Sequence, residues 1–263
     1  MRRLDWAAYR RTEYKGLDPE RVIAVLPTAA IEQHGPHLPV GVDTMIAEGM
    51  LAELRRICPD DLDLRILPVQ AVGKSNEHLD AAGTLTLDAP TALAAWTQIG
   101  LSVARAGVRK IVIVNSHGGN LDLISILARE LRVRAGMLAV KCQWGNFGNP
   151  EGLYSERELT YGIHGGDRET SLMLHFHPDL VEMSAAQEFR SAAEGAAIPP
   201  VGPISHGWMA RDLSADGTVG DAHLASAEKG RATCEHQVAG FVALLRQVRD
   251  MPLDRFDPVV PPV

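Results

Sequence analysis

Short apolar runs that alternate with stretches of helical periodicity restrict the possible folds of this chain more than any other feature. The apolar runs are residues 22–26, 64–69, 110–114 and 138–143. The helical stretches are residues 44–57, 92–106, 121–135, 168–176 and 225–249. Strands that are apolar throughout and separated by helices are typical of a parallel sheet covered on both faces. The sequence therefore predicts an α/β protein with a mostly parallel central sheet.

The chain shows no internal repeat and no linker that would divide it, so we predict one domain over residues 1–263. Its 263 residues, 46% of them hydrophobic, suffice for one sizeable core. Residues 184–222 are rich in Gly, Pro, Ser and Ala and lack periodicity. This composition predicts a long irregular segment that serves as an active-site flap or an oligomer contact. The proline-rich residues 257–263 are expected to be extended.

Charge and cysteine content narrow the partners and the compartment. A net charge of −7 and a pI near 5.8 argue against a nucleic-acid or membrane partner, because both need a basic face. The three cysteines are far apart, so no disulfide framework is expected. The first residues lack the apolar region of a signal peptide, and no apolar run reaches the roughly 20 residues of a spanning helix. These features predict a cytoplasmic protein.

Acidic and histidine side chains gather where a predicted strand passes into a helix or where a helix begins. They are Glu32, His34 and Asp43 after residues 22–26, His117 after residues 110–114, and His164 and Glu169 at the start of residues 168–176. In open α/β sheets this edge is where ligands bind. Glu, His and Asp side chains together suit zinc, iron(II) or manganese(II). Asp43 is the natural candidate to bridge two ions through its two carboxylate oxygens.

Each motif taken alone also has a structural interpretation. The first loop could be a polar surface loop in which Asp43 caps a helix, and His117 could be a satisfied core residue at the end of a strand. Acidic residues near a helix start compensate the helix dipole, which is the interpretation we favour for Asp167. The joint occurrence of the three motifs favours a metal site, in which Glu169 supplies a ligand that the first two motifs lack.

Four stretches together, EQHGPHLPVGVD, GKSNEHLDAAGTLTL, NSHGGN and HGGDRETS, resemble the creatininase (creatinine amidohydrolase) family. The resemblance covers roughly residues 20–245 and is specific to the family, though not to one substrate. It implies a three-layer α/β/α fold, a homo-oligomer that is commonly a hexamer, and a binuclear metal site. It also implies two ligand sets, namely Glu32, Asp43 and His117 for one ion and His34, Asp43 and Glu169 for the other.

Two departures from the family pattern affect the second metal and the substrate. Creatininases proper carry a Glu where Gly119 stands, and that Glu ligates the second metal. Glu169 is therefore the candidate ligand here, and the chain resembles the broader branch of the family rather than creatininases proper. Many members have a Phe-Pro pair where this chain has Ala81 and Ala82, which predicts a reshaped substrate pocket.

A mechanism follows from the resemblance and from metal chemistry. Two divalent ions bridged by Asp43 would lower the pKa of a shared water and provide a bridging hydroxide. His164 would act as the general acid and base that passes a proton to the leaving amine. Glu77 and His78 are further catalytic candidates, which either line the pocket and support the ligands or form a surface loop pair. Zinc is the expected metal, and manganese(II) and iron(II) are the alternatives.

Three other side chains have open interpretations. His37 is expected to support the ligands rather than to bind metal. Trp144 either covers the substrate or lies in the core. His206, within residues 184–222, could reach a neighbouring site across a subunit interface.

The predicted reaction is hydrolysis of a C–N bond in a small-molecule substrate, a cyclic amide or a related amide. The resemblance also allows a cyclic ketone or lactone derived from a sugar or inositol, or a small peptide cut by a maturation peptidase. A metal-binding scaffold is the non-enzyme alternative. The sequence lacks a GxxxxGKS loop, a GxGxxG after a strand and a GxSxG elbow, which disfavours nucleotide and serine-hydrolase chemistry.

Overall fold

A computed structural model describes residues 2–256, and its centre is a sheet of four parallel strands. The strands are β1 (Val22–Thr28), β2 (Asp63–Ile66), β3 (Lys110–Asn115) and β4 (Leu138–Gln143), in the spatial order β2-β1-β3-β4. In the register of this sheet, Val25 of β1 pairs with Ile66 of β2 and with Val112 of β3. Residues 257–263, expected to be extended, lie outside the described residues.

Helices cover both faces of this sheet, which confirms the predicted three-layer α/β/α fold. The helices that the structure describes are α1 (Val42–Ile57), α2 (Ala89–Arg105), α3 (Leu121–Ala135), α4 (Glu156–Tyr161), α5 (Asp167–Phe176), α6 (Ala210–Leu213) and α7 (Ala227–Asp250), of which α4 and α6 lie away from the sheet cores. Val25 packs in a core with α1, α5 and α7, whereas the adjacent Ala24 and Leu26 pack in a second core with α2 and α3. The strand divides in this way because successive side chains point to opposite faces.

The ends of two elements differ from the prediction for local reasons. Helix α1 begins at Val42 after the N-cap Gly41, so Asp43 lies within the first turn and does not cap the helix. Strand β2 ends at Ile66, because Pro68 has no N–H group with which to continue the ladder. In the part of the chain that the structure describes, no helix is long and apolar enough to cross a membrane.

Residues 184–222 are mostly irregular, as predicted, and their two ends are joined. Strands β5 (Glu188–Phe189) and β6 (Gly220–Asp221) pair in antiparallel orientation near the beginning and the end of this segment. The chain between them therefore forms a long loop whose ends are held together. We refer to residues 198–209, in the middle of this loop, as the flap.

Gly230 of α7 lies where this helix passes close to α5. A Cβ atom at position 230 would lie 1.9 Å from the carbonyl oxygen of Ser171, a backbone atom that cannot rotate away. Gly230→Ala should therefore lower the free energy of unfolding by about 1–3 kcal/mol. This expectation opposes the usual preference for alanine in a helix interior, which is about 1 kcal/mol. Urea unfolding followed by circular dichroism measures the difference.

Gly240→Ala is the matched control for this stability prediction, because Gly240 lies in the same helix. A Cβ atom there would meet side-chain atoms of Phe147 at 2.9 Å, and a side chain can adjust more easily than a backbone. We expect a smaller loss of stability for the control. A Gly230→Ala protein as stable as the wild type would contradict the close helix contact.

Candidate metal centre

The three predicted motifs meet at the edge of the sheet where the parallel strands end. Glu32 and His34 lie in the loop after β1, and His117 lies two residues after the end of β3. Asp43 lies in the first turn of α1, and Glu169 lies in the first turn of α5. Neighbouring parallel strands end at the same edge, so residues that are distant in sequence meet there. All of these side chains are buried except that of Glu169, which is 18% exposed.

Asp43 lies between two histidines. Its Oδ2 atom is 3.2 Å from Nδ1 of His117, and its Oδ1 atom is 3.8 Å from Nε2 of His34. Oε1 of Glu32 is also 3.2 Å from Nδ1 of His117. Oε2 of Glu169 is 3.9 Å from Nε2 of His34. The structure thus brings the five predicted ligands together as two groups that meet at Asp43.

Hydrogen bonds on the outer ring nitrogens determine how the two histidines face Asp43. Nδ1 of His34 donates to the backbone carbonyl of Glu32 at 2.9 Å, which leaves Nε2 without a proton in the neutral ring. Nε2 of His117 donates to the backbone carbonyl of Lys74 at 2.9 Å, which leaves Nδ1 without a proton in the neutral ring, although Glu32 and Asp43 raise the pKa of this histidine against the effect of burial. These tautomers follow from the hydrogen-bond partners. Each ring therefore presents a lone pair to carboxylate oxygens, an arrangement that a cation between them stabilises.

Three buried atoms of this cluster lack a hydrogen-bond partner, namely Oε2 of Glu32, Nε2 of His34 and Oδ2 of Asp43. A buried polar atom without a partner costs about 1–3 kcal/mol. Burial and the neighbouring charge of Glu32 raise the pKa of Asp43. Burial also lowers the pKa of His34, which favours its neutral form. Two imidazole nitrogens among three carboxylates form a donor set that fits divalent metal ions.

His164 and His78 both lie against Glu32. Nδ1 of His164 and Nε2 of His78 are each 3.6 Å from Oε1 of Glu32. Gln33 orients the two rings, because its carbonyl accepts a hydrogen bond from Nε2 of His164 at 2.7 Å. Its side-chain amide donates to Nδ1 of His78 at 2.8 Å. Gln33 was not predicted as a functional residue. Its position between the candidate ligands Glu32 and His34 could have indicated that it lies in the site.

Glu77 contacts the outer edge of the His117 ring. Its Oε1 atom is 3.5 Å from Nε2 of His117, and its Oε2 atom accepts a hydrogen bond from Nζ of Lys74 at 2.9 Å. A Cβ atom at position 119 would lie 2.1 Å from Oε1 of Glu77, so this carboxylate occupies space that Gly119 leaves open. Glu77 and His78 both line a cavity and do not form a surface loop pair. The sequence-based prediction missed Lys74, which precedes Glu77 in the same motif.

A cavity of about 660 Å³ opens onto the ligand cluster, and the flap forms part of its wall. Pockets of about 300–1,000 Å³ accommodate drug-sized ligands. The flap contributes Trp208 and Met209 to the lining, and the indole N–H of Trp208 donates to the carbonyl of Pro200 at 2.9 Å. Trp208 was not predicted as a functional residue, because its segment has no periodicity. The irregular segment is therefore placed as a flap over the site.

The structure places three side chains whose interpretation was open. His206 lines the cavity of its own chain, and its reach to a neighbouring site across a subunit interface stays a prediction. Trp144 is buried and packs against Phe241 with ring centroids 4.9 Å apart, which places it in the core and away from the cavity. His37 does not join the ligand cluster, since its Nε2 atom lies 2.9 Å from Oγ1 of Thr170.

Comparison with known proteins identifies the family. The family described as "Creatininase: Creatinine amidohydrolase" matches residues 7–245. This chain belongs to the creatininase family. Creatinine amidohydrolase of Pseudomonas putida is 30% identical to this creatininase-family protein over 243 residues, which cover 86% of this chain and 89% of the relative.

Two further comparisons connect this creatininase-family protein with a peptidase and with a zinc-containing structure. The mycofactocin precursor peptide peptidase of Mycobacterium tuberculosis (strain CDC 1551 / Oshkosh) is 30% identical over 216 residues, covering 79% of this chain and 78% of the relative. A solved mutant creatininase of the Zn-Zn type superposes with a TM-score of 0.72 at 26% identity, covering 95% of this chain and 100% of that chain. The family members are hydrolases, and the two curated relatives bear names with different substrates.

Proposed function

We propose that this creatininase-family hydrolase is a dinuclear metal-dependent enzyme that cleaves the C–N bond of a small cyclic amide or related amide. The position of Asp43 carries the proposal. Its two oxygens face two different histidines, and each histidine is anchored through its other nitrogen to a backbone carbonyl. A carboxylate in this position suits a bridge between two cations better than a single ion pair.

The two groups around Asp43 define the proposed ligand sets. Glu32, Asp43 and His117 would hold one divalent ion, and His34, Asp43 and Glu169 would hold the other. Zinc is the metal we expect, and the Zn-Zn type of the solved creatininase supports this choice. Manganese(II) and iron(II) remain acceptable to the same nitrogen and oxygen ligands.

The residues around the ligands would supply proton transfer and orientation. Divalent ions in such a site polarise a substrate carbonyl and lower the pKa of water. His164 is held through its Nε2 atom on the carbonyl of Gln33, so its Nδ1 atom is free to move a proton to a leaving amine beside Glu32. His78 would hold Glu32 in place through Nε2, and Glu77 would hold His117 from its outer edge.

His164→Ala tests the proposed proton transfer and separates an enzyme from a metal-binding scaffold. Zinc-reconstituted protein is first screened against creatinine, other cyclic amides, lactones, oxidised inositols and short peptides. On the best substrate, the variant should lose about 10²–10⁴-fold in kcat. Its zinc content, measured by elemental analysis, should stay at the wild-type value.

His223→Ala is the control for this variant, because His223 is exposed and does not line the cavity. It should retain both activity and zinc. Equal activity in the His164→Ala and wild-type proteins would remove His164 from the mechanism. Absence of any metal-dependent turnover across the screen would favour the scaffold.

A small-peptide peptidase is the second candidate function. The mycobacterial relative supports it, and the cavity volume of about 660 Å³ leaves room for more than a single five-membered ring. Turnover of short peptides with no turnover of cyclic amides would favour this candidate over the first. The same screen therefore decides between them.

We also propose a homo-oligomer, with a hexamer as the expected form. Three exposed apolar side chains of the flap support this proposal as a candidate contact surface, namely Ile198, Val201 and Ile204. A single exposed apolar residue is ordinary on a protein surface, but three within seven positions favour a contact with another subunit. Light scattering coupled to size-exclusion chromatography measures the mass, and a monomer at micromolar concentration would contradict this proposal.

A further inference from the structure

The charge of the cavity wall singles out one side chain. Among the described residues that line the cavity, Lys74 is the one lysine or arginine. Its side chain is 24% exposed, so it is held in the wall and still reaches the open space. The carboxylates of the proposed metal ligands lie in the same cavity. The ammonium group of Lys74 has the opposite charge and would attract a negatively charged part of a substrate.

Glu77 holds this ammonium group in a defined place. Nζ of Lys74 donates to Oε2 of Glu77 at 2.9 Å, and the other oxygen of Glu77 lies 3.5 Å from Nε2 of His117. A lysine ammonium has three N–H donors. Glu77 is the hydrogen-bond partner that the described residues provide, so two donors remain for a ligand or for solvent. Glu77 therefore links the ammonium group of Lys74 to the proposed metal ligand His117 but accepts a hydrogen bond from only one of its three donors.

Gly119 makes room for this ion pair. A Cβ atom at position 119 would lie 2.1 Å from Oε1 of Glu77 and 2.5 Å from the carbonyl oxygen of Lys74. Any side chain at position 119 would displace the Glu77 carboxylate, and Lys74 would lose its anchor. The glycine that removes a ligand position of creatininases proper thus admits a cation into the substrate cavity.

We propose that Lys74 binds a carboxylate of the substrate, so that the enzyme acts on amides with a free carboxylate close to the scissile C–N bond. A charge-assisted N–H···O hydrogen bond in a partly desolvated wall is stronger than a neutral one and discriminates against ligands without the charge. The inference rests on the proposed function, because the metal cluster fixes where the scissile carbonyl lies. The carboxylate can belong to a small acylated or cyclic amino acid or to the end of a short peptide.

Hydroxamate probes test the inference without knowledge of the natural substrate, because hydroxamates bind metal ions directly. Zinc content of the reconstituted protein is measured first. Isothermal titration then compares succinic acid monohydroxamate, which has a free carboxylate, with its neutral terminal amide. We expect the charged probe to bind the wild-type protein at least about 10-fold more tightly. Lys74→Gln should remove this preference by weakening the charged probe alone.

Two further variants separate charge recognition from damage to the fold. Lys74→Arg keeps a cation and should retain most of the preference, although its geometry differs. Asp122→Asn changes another polar side chain of the cavity wall and should leave the preference at its wild-type value or raise it. Melting temperatures within about 2 °C of the wild type show that the variants are folded.

The outcomes distinguish this inference from the function on which it rests. Protein that binds no zinc and neither hydroxamate overturns the dinuclear centre and the inference together. Protein that binds both probes equally, or a Lys74→Gln variant that weakens both probes equally, overturns the role of Lys74 and leaves the metal centre standing.

A longer probe shows whether the carboxylate belongs to the end of a peptide or to a small amide. A hydroxamate attached to a dipeptide with a free carboxyl end is compared with its amidated form. If this probe binds more tightly than the succinic probe and depends on Lys74, the carboxylate belongs to a peptide end. If the succinic probe binds more tightly, the substrate is a small amide.

Discussion

Replacing Asp43 with alanine will leave the purified protein nearly free of bound metal and will abolish hydrolysis. The reason is that one substitution removes an oxygen from both groups, since Oδ1 faces His34 and Oδ2 faces His117. Each group of proposed ligands is left with one histidine and one glutamate, short of the three protein ligands that catalytic zinc sites use, and Glu77, which could complete one group, is engaged by Lys74. Mass-spectrometric elemental analysis of zinc-reconstituted protein measures the ratio, which should fall from about two ions per chain to near zero.

Asp122→Ala is the matched control for the Asp43 variant. Asp122 is exposed in the first turn of α3 and lines the same cavity, but it lies outside the ligand cluster. This control should keep its full zinc content. An Asp43→Ala protein that retains two ions per chain would refute the bridge. Circular dichroism of the metal-free proteins excludes unfolding as the cause of any loss.

Glu169→Gln is expected to remove roughly half of the bound metal and most of the activity, because a neutral amide is a weaker ligand than a carboxylate. Glutamine keeps the volume of glutamate, so packing changes little. Oε2 of Glu169 lies 3.9 Å from Nε2 of His34, and the group of Glu32 and His117 does not depend on it. The loss should therefore be confined to one ion, and elemental analysis with the same zinc reconstitution measures it.

Glu77→Gln is the informative comparison for Glu169→Gln. Glu77 is the other glutamate near the cluster, and its carboxylate, together with Glu32 and His117, could also surround an ion. Its contacts with Lys74 and with the outer edge of His117 favour a supporting role, so its isosteric variant should retain both ions. Loss of metal from Glu77→Gln with none from Glu169→Gln would transfer the ligand role to Glu77.

The layers of the fold could be predicted from the sequence because their signals are local. Residues 111–114 of strand β3, IVIV, include no polar residue to face solvent, and this pattern requires burial on both faces. The loop with Glu32 and His34 was equally readable, because Gly35 and Pro36 prevent a helix and keep the two side chains close together. His117 followed from its place at the end of a strand.

The start of α1 was harder to predict, and the error concerns the central ligand. Asp43 is the kind of residue that normally caps a helix, so the predicted helix began after it. The helix instead begins at Val42 behind Gly41, which offers no side-chain cap. Burial of Asp43 among distant ligands, rather than helix capping, explains its position.

The sequence by itself determined the order of strands and helices, the family to which the chain belongs and the short motifs that contain candidate ligands. Only the tertiary structure decided how those motifs combine. The pairing of Glu169 with His34 depends on the approach of α5 to the loop after β1, and the placement of Trp208 depends on the long loop between β5 and β6. The first contact joins residues more than a hundred positions apart and the β5–β6 pairing joins residues more than thirty positions apart, and no local periodicity or propensity encodes such distances.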